Sequence, residues 1–198
     1  MDIETIDTYN AMAIEYDTET TDFWERFPVG ILEKFSEKVS GPVLDVGCGP
    51  GRDGLLLKNR GVDITGVDAS EEMVRIATSR GLSAVVGDFM ALPFPDDSFG
   101  GVWAYTSLIH VPKSEVANAF AEIARVLKTG GILGLGMIEG DSEGYRESSG
   151  VSLPRWFSFY TKEEIETLLT THDFEVLHFE TFKPGSKSYL NFITRKIS

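Results

Sequence analysis

The chain has 198 residues, 42% of them hydrophobic and 25% charged, an ordinary globular composition for a single domain. Lys and Arg number 18 against 31 Asp and Glu. The resulting formal charge of −13 argues against nucleic acid as a partner, because such binding rests on cations that neutralise phosphates. The lone Cys48 excludes an internal disulfide and a cysteine-based metal cluster. No apolar run approaches the ~20 residues that span a bilayer, and the acidic start, MDIETIDTYN, has no signal-peptide pattern. These features point to a cytoplasmic protein without membrane insertion.

Residues 1–40 read as a helical cap. Ile3, Ile6, Ala13 and Tyr16 fall on one helical face, and Trp24, Phe27, Ile31 and Phe35 form a second stripe that Pro28 interrupts. The core, 41–198, has another rhythm. Residues 42–47 read as a short buried strand and 53–60 as a helix stopped by Gly61. A strand over 62–67 runs into Asp68, and a helix over 71–80 has Ser70 as its N-cap. Further strands are expected over 82–86, 100–105 and 132–138, with a helix over 114–128 and a turn at Gly130-Gly131. Strands alternating with helices at these lengths predict an α/β fold with a mostly parallel sheet and helices on both faces.

The stretch 139–159 is long for a connection, so it reads as disordered or as a functional loop on the substrate side. Thr161 and Glu164 fit a capping box that opens a helix through Leu169. Two strands, 174–182 and 188–194, are joined by Lys183-Pro184-Gly185-Ser186, a hairpin signal that makes the last strand antiparallel.

The most informative segment is Leu44-Asp45-Val46-Gly47-Cys48-Gly49-Pro50-Gly51, at the strand-to-helix turn where open α/β sheets bind nucleotides. Two cofactor readings compete. Gly49 to Gly54 formally matches the dinucleotide pattern G-x-G-x-x-G, but the strand already ends at Gly47, and Asp45 and Asp53 flank a turn that would face a pyrophosphate. S-adenosylmethionine carries a sulfonium and an ammonium against one carboxylate, and an acid such as Asp45 suits that charge. Asp68, after the second strand, can accept from ribose hydroxyls in either reading. Asp88, followed by Phe89, can hold an adenine amino group or cap the next segment.

With these residues in place, the sequence resembles the class I S-adenosylmethionine-dependent methyltransferases, in their small-molecule branch. The resemblance rests on 43–51, on Gly66-Val67-Asp68-Ala69-Ser70 with Met73, on Gly87-Asp88-Phe89 through Phe94, and on Asp97-Ser98-Phe99. It continues through Ser107-Leu108-Ile109-His110-Val111, 125–131, 160–164 and 173–176, in the expected order over nearly the whole chain. It implies a Rossmann-like seven-stranded, mostly parallel sheet with the last strand antiparallel. Gly47 and Gly49 would contact the methionine part of the cofactor, with Asp45 near its amino group and Cys48 and Gly51 of the same loop also on the cofactor. Asp68 would bind the ribose, Ala69 and Met73 would flank the adenine, and Asp88 and Phe89 would hold it. Tyr105 and Thr106 would line the floor, and Tyr9 and Tyr16 look like a tyrosine pair that closes over the cofactor. Two departures stand out: Thr129 replaces a usual proline, and His172-Asp173-Phe174 replaces the commoner Ala-Gly-Phe.

The implied reaction is in-line transfer of the cofactor methyl to a small-molecule acceptor, leaving S-adenosyl-L-homocysteine. It requires no metal, and no His, Asp and Glu cluster has ligand spacing. His110 is the candidate catalytic base, its alternative role being a backbone hydrogen bond that positions the loop. His172 and His178 read as structural. The candidates for acceptor contact are Trp24, Phe27, Tyr145, Arg146, Arg155, Trp156, Phe157 and Tyr160. The competing functions are an NAD(P)-dependent oxidoreductase and a non-catalytic S-adenosylmethionine-binding protein.

Overall fold

The computed structural model describes residues 2–26, 30–148 and 151–198. Phe27 and Pro28 of the second helical stripe lie outside them. The helices are α1 (Ile3–Ala11), α2 (Ala13–Glu19), α3 (Phe23–Arg26), α4 (Gly30–Lys38), α5 (Arg52–Asn59), α6 (Glu71–Ser79), α7 (Val116–Val126) and α8 (Lys162–Thr171). The strands are β1 (Val43–Val46), β2 (Ile64–Asp68), β3 (Ser83–Val86), β4 (Phe99–Tyr105), β5 (Leu127–Ile138), β6 (Glu143–Ser148), β7 (Val151–Ser158), β8 (Phe174–Phe182) and β9 (Tyr189–Lys196).

Seven strands form one sheet in the order β3-β2-β1-β4-β5-β9-β8. β1 runs parallel to β2, Val43 opposite Ile64, and parallel to β4, Val43 opposite Gly101. β9 runs antiparallel to both neighbours, with Asn191 opposite Gly136 of β5. β1 is buried along its whole length because helices cover both faces of the sheet. Its alternation sends Leu44 and Val46 into a core with Val102, Phe120 and Phe192. Val43 goes to the opposite face, among Phe35, Leu57 and Trp103.

Local chemistry sets the helix starts. Ser70 Oγ accepts from the Met73 amide at 3.2 Å and opens α6. The capping box of α8 is complete: the Thr161 amide donates to Glu164 Oε2 at 2.7 Å, and the Glu164 amide to Thr161 Oγ1 at 3.2 Å. Asp173, where the resembled family has glycine, takes the left-handed φ of +61° at the exit of α8, a region that aspartate tolerates better than most residues.

Two expectations are corrected. Within 139–159, β6 and β7 pair as antiparallel strands, with Tyr145 opposite Trp156, and α1 packs on β7. Their alternating side chains are masked in the sequence by glycines and charges. The helix over 114–128 stops at Val126, and Gly130-Gly131 lies within β5, whose pairing with β4 skips from Leu127 to Ile132. Among the described residues, no helix is long and apolar enough to cross a membrane.

Candidate active site

The site lies at the carboxyl ends of β1, β2 and β4, where the strand order reverses direction. After β1 the chain turns sharply. The amides of Gly47 and Cys48 both donate to the Val67 carbonyl, at 2.8 and 3.1 Å. Gly47 has a φ of +71°, and a Cβ there would stand 2.3 Å from the Ser107 Cβ, so only glycine passes this point. Asp68 then fixes the loop from β2. Its Oδ2 accepts from the Gly49 amide at 2.8 Å and its Oδ1 from the Ser70 amide at 2.9 Å.

Three carboxyl groups converge here. Asp45 projects from β1 into the cleft beside Gly47, Cys48 and Gly49, and its Oδ2 is buried without a hydrogen-bond partner. Asp53, in the first turn of α5, accepts from the indole of Trp24 at 2.5 Å and that of Trp103 at 2.7 Å. Burial raises the pKa of Asp45, Asp53 and Asp68, and the charges of Asp53 and Asp68 push Asp45 further, well above the usual carboxylate range. Like charges sharing a buried site disfavour one another's ionisation, and a cation entering among them relieves that cost. The residues therefore fit an ammonium-bearing ligand, and they fit poorly with a pyrophosphate.

Helices α1 and α2 roof the cleft. Tyr16 meets Tyr9 edge to face, ring centroids 5.3 Å apart. An ionic latch holds α2 down. Asp17 pairs with Arg52 at 2.6 Å and with Arg80 at 2.5 Å, and Arg52 also donates to the Thr20 hydroxyl and the Asp17 carbonyl. Beyond Tyr16 and Thr106 opens a larger cavity of about 740 Å³, with Phe157, Arg155 and Lys187 in its walls. Thr106 itself holds a φ of +54°, while its amide donates to the Gly136 carbonyl at 2.8 Å. Strain of this kind in a non-glycine residue concentrates at functional sites.

His110 joins the two sides. Its Nδ1 lies 2.6 Å from the Trp156 carbonyl and therefore donates, which leaves Nε2 to accept from the Tyr9 hydroxyl at 2.8 Å. Arg155 Nη1 donates to the same hydroxyl at 2.9 Å. Burial pushes the His110 pKa down to about 3, so the ring is neutral.

Of the cofactor residues expected from the sequence, Tyr16, Asp45, Gly47, Cys48, Gly49, Asp68, Met73, Phe89, Tyr105 and Thr106 line the cleft. Gly51, Ala69 and Asp88 stand outside its walls. Gly51 is the left-handed N-cap of α5, where a Cβ would press on Ala77. One carboxylate oxygen of Asp88 accepts from the Met90 amide at 2.9 Å, the capping role that was the other reading of this residue. Of the acceptor candidates, Arg155 and Phe157 line the large cavity, and Trp24 the cofactor side. Tyr145 is exposed and bonded to Asp2, Arg146 lies over Phe159, Tyr160 is buried, and the Trp156 indole donates to Ser158. Sequence reasoning missed Lys187, Ile109, Val151 and Tyr189 in the cavity wall. Lys187 sits in a polar turn and carries no local signal. Among the described residues, no group of three side chains could hold a metal ion.

Comparison with known proteins agrees with this geometry. Residues 43–131 match a methyltransferase domain family. A sterol 24-C-methyltransferase of Gibberella zeae is 43% identical over 104 residues, a match that takes in 47% of this chain and 26% of that one. An O-methyltransferase of Aspergillus sclerotiorum is 29% identical over 184 residues, 87% of this chain and 69% of that one. The structure of an S-adenosylmethionine-dependent methyltransferase from Methanosarcina mazei superimposes with a TM-score of 0.74 at 23% identity, covering 86% of this chain and 98% of that one. The matched stretch is thus about a quarter of the sterol enzyme's length. The sheet order and the glycine turn give the chain the Rossmann-like fold seen in S-adenosylmethionine-dependent methyltransferases. Residues 43–131 are similar to a methyltransferase domain.

Proposed function

We propose that the protein transfers a methyl group from S-adenosylmethionine to a small-molecule acceptor by direct in-line displacement. The observation that carries this reading is the orphaned, buried carboxyl oxygen of Asp45, with Asp53 and Asp68 beside it at a glycine turn. When bound, S-adenosylmethionine supplies an electrophilic methyl on a sulfonium that is already a good leaving group.

The chain's own residues bind and orient. Asp45 receives the ammonium, Asp68 the ribose hydroxyls, and Met73 and Phe89 the adenine, with Ala69 and Asp88 supporting that end. Tyr16 and Tyr9 exclude water from above, and Tyr105 and Thr106 form the floor. Holding two reactants aligned supplies about 7–11 kcal/mol in well-oriented systems. For His110, the geometry favours the positioning role. Both ring nitrogens are engaged, and a group with a pKa of about 3 is a weak base.

In this reading, 1–40 is a cap, 41–198 is the catalytic core, and the segment 139–159 supplies the acceptor side through Arg155 and Phe157. The formal charge of −13 favours a small acceptor over nucleic acid. A free, buried Cys48 suits the reducing cytoplasm.

The test is thermal unfolding with S-adenosylhomocysteine, S-adenosylmethionine, NAD and NADP. A ligand at ~100 times its Kd adds about 2.7 kcal/mol. The expected shift occurs with the adenosyl-sulfur ligands alone and disappears in Asp68→Ala. A shift with NAD or NADP alone moves the assignment to an oxidoreductase. Turnover on an acceptor panel then separates an enzyme from a cofactor-binding protein.

A further inference from the structure

The large cavity has a charge opposite to that of the chain around it. In a protein of net charge −13, two cations, Arg155 and Lys187, line a space of about 740 Å³. Glu19 is the one carboxylate residue among the described residues of its wall. The two cations arrive on separate elements, Arg155 from β7 and Lys187 from the turn between β8 and β9, yet both stand over the Phe157 ring. The guanidinium carbon is 5.2 Å from the ring centroid and the Lys187 Nζ 5.8 Å.

Their settings differ. Arg155 is 4% exposed and tied to the Tyr9 hydroxyl. It is a fixed source of positive potential behind the wall. Lys187 sits at the rim, where wall burial and the charge of Arg155 both lower its pKa. An ammonium held beside a like charge gains most from an arriving anion. The rest of the lining includes Ile109, Ile138 and Val151, and His110 is neutral and adds no charge. Low-dielectric walls of this kind focus the field of the two cations into the cavity.

We propose that the acceptor is an apolar molecule bearing a single carboxylate, its body against Ile109, Ile138 and Val151 and its carboxylate on Lys187 in the field of Arg155. The inference rests on the methyltransferase reading, because it takes this cavity as the acceptor side of the cleft. A singly charged group matches one rim ammonium.

The experiment is calorimetric titration of the full chain, saturated with S-adenosylhomocysteine, with 2-naphthoate and with its neutral counterpart 2-naphthamide. The expected result is that the acid binds about tenfold more tightly, or about 1.4 kcal/mol. Lys187→Met narrows the gap to less than about twofold, and Lys187→Glu reverses it. The control Lys128→Met, exposed on β5, keeps it. Equal binding of acid and amide, no binding of either, or a preference untouched by Lys187→Met overturns the proposal. Titration of S-adenosylhomocysteine itself keeps the two readings apart. Loss of that binding with the acid preference intact removes the methyltransferase reading alone.

Discussion

The hydroxyl of Tyr9 in α1 and Nε2 of His110, 101 positions apart in sequence, stand 2.8 Å from each other. The bond couples the helical roof to the turn after β4 and keeps the imidazole in one tautomer. Because His110 is buried and neutral, with a pKa near 3, the unfolded chain binds a proton at this residue below pH ~6.5 and the folded chain does not. The stability that the neutral ring contributes is therefore complete above pH ~6.5 and is lost as pH falls toward 3. Urea unfolding between pH 7 and 5 should show a slope of up to about 1.4 kcal/mol per pH unit from this residue. His110→Gln should remove it. The same geometry predicts that turnover has no inflection near pH 6.5 arising from His110. An inflection there that vanishes in His110→Gln would restore the general-base role.

The acids give the opposite sign. Burial raises Asp45, Asp53 and Asp68, so their contribution to stability is complete below about pH 3.8 and is lost as pH rises through their folded pKa values. Asp45→Asn mimics the protonated group. In the ligand-free protein it should raise Tm at pH 7 by about 2–4 °C, the shift that 1 kcal/mol makes in a domain of this size. Stabilisation by S-adenosylmethionine should be lost. A ligand-free Asp45→Asn that melts lower than wild type at pH 8 would refute the charge-strain account.

The glycine turn, Asp45 and Asp68 were legible because their spacing along one strand-turn-helix unit sets their geometry. The antiparallel last strand was legible from Lys183-Pro184-Gly185-Ser186. The pairing of β6 and β7 was not, since 139–159 read as disordered or as a functional loop, and the long-range pairing of Tyr145 with Trp156 is what makes strands there. Nor could the sequence tie Asp53 to Trp103, 50 positions away, or bring Lys187 over Phe157. Those contacts depend on where the sheet places separate elements. His110 was found, but its role turned on burial and on Tyr9, which periodicity does not reveal.

The latch at Asp17 predicts how the roof behaves. Its side chain is 16% exposed and shared between Arg52 and Arg80. Asp17→Asn leaves two guanidinium groups facing each other without their counter-charge. A hydrogen bond to a charged group contributes about 1.5–3 kcal/mol. Residues 2–26, which carry Glu4, Glu15, Glu19 and Glu25, should then be cut faster by a glutamate-specific protease, and S-adenosylhomocysteine affinity should fall by about tenfold. Global stability should change less, because the core beneath is untouched. If sensitivity to that protease is unchanged, the latch does not hold the roof.

Gly136 controls the floor. A Cβ at this position would stand 2.3 Å from Cδ2 of Tyr105, the residue that stacks on Trp103 with centroids 5.4 Å apart and lines the cofactor side. Overpacking of this kind costs about 1–3 kcal/mol. Gly136→Ala should lower stability by that amount and weaken S-adenosylhomocysteine binding, because the ring has to leave its stacked position. Tyr105→Leu in the same chain separates the two effects. Removing the ring relieves the clash, so the double variant should regain stability over Gly136→Ala alone. It should not regain affinity, because the aromatic floor is gone. Denaturation and calorimetry on the four members of this cycle measure the coupling. Additive stability changes would mean that Gly136 and Tyr105 do not meet as described.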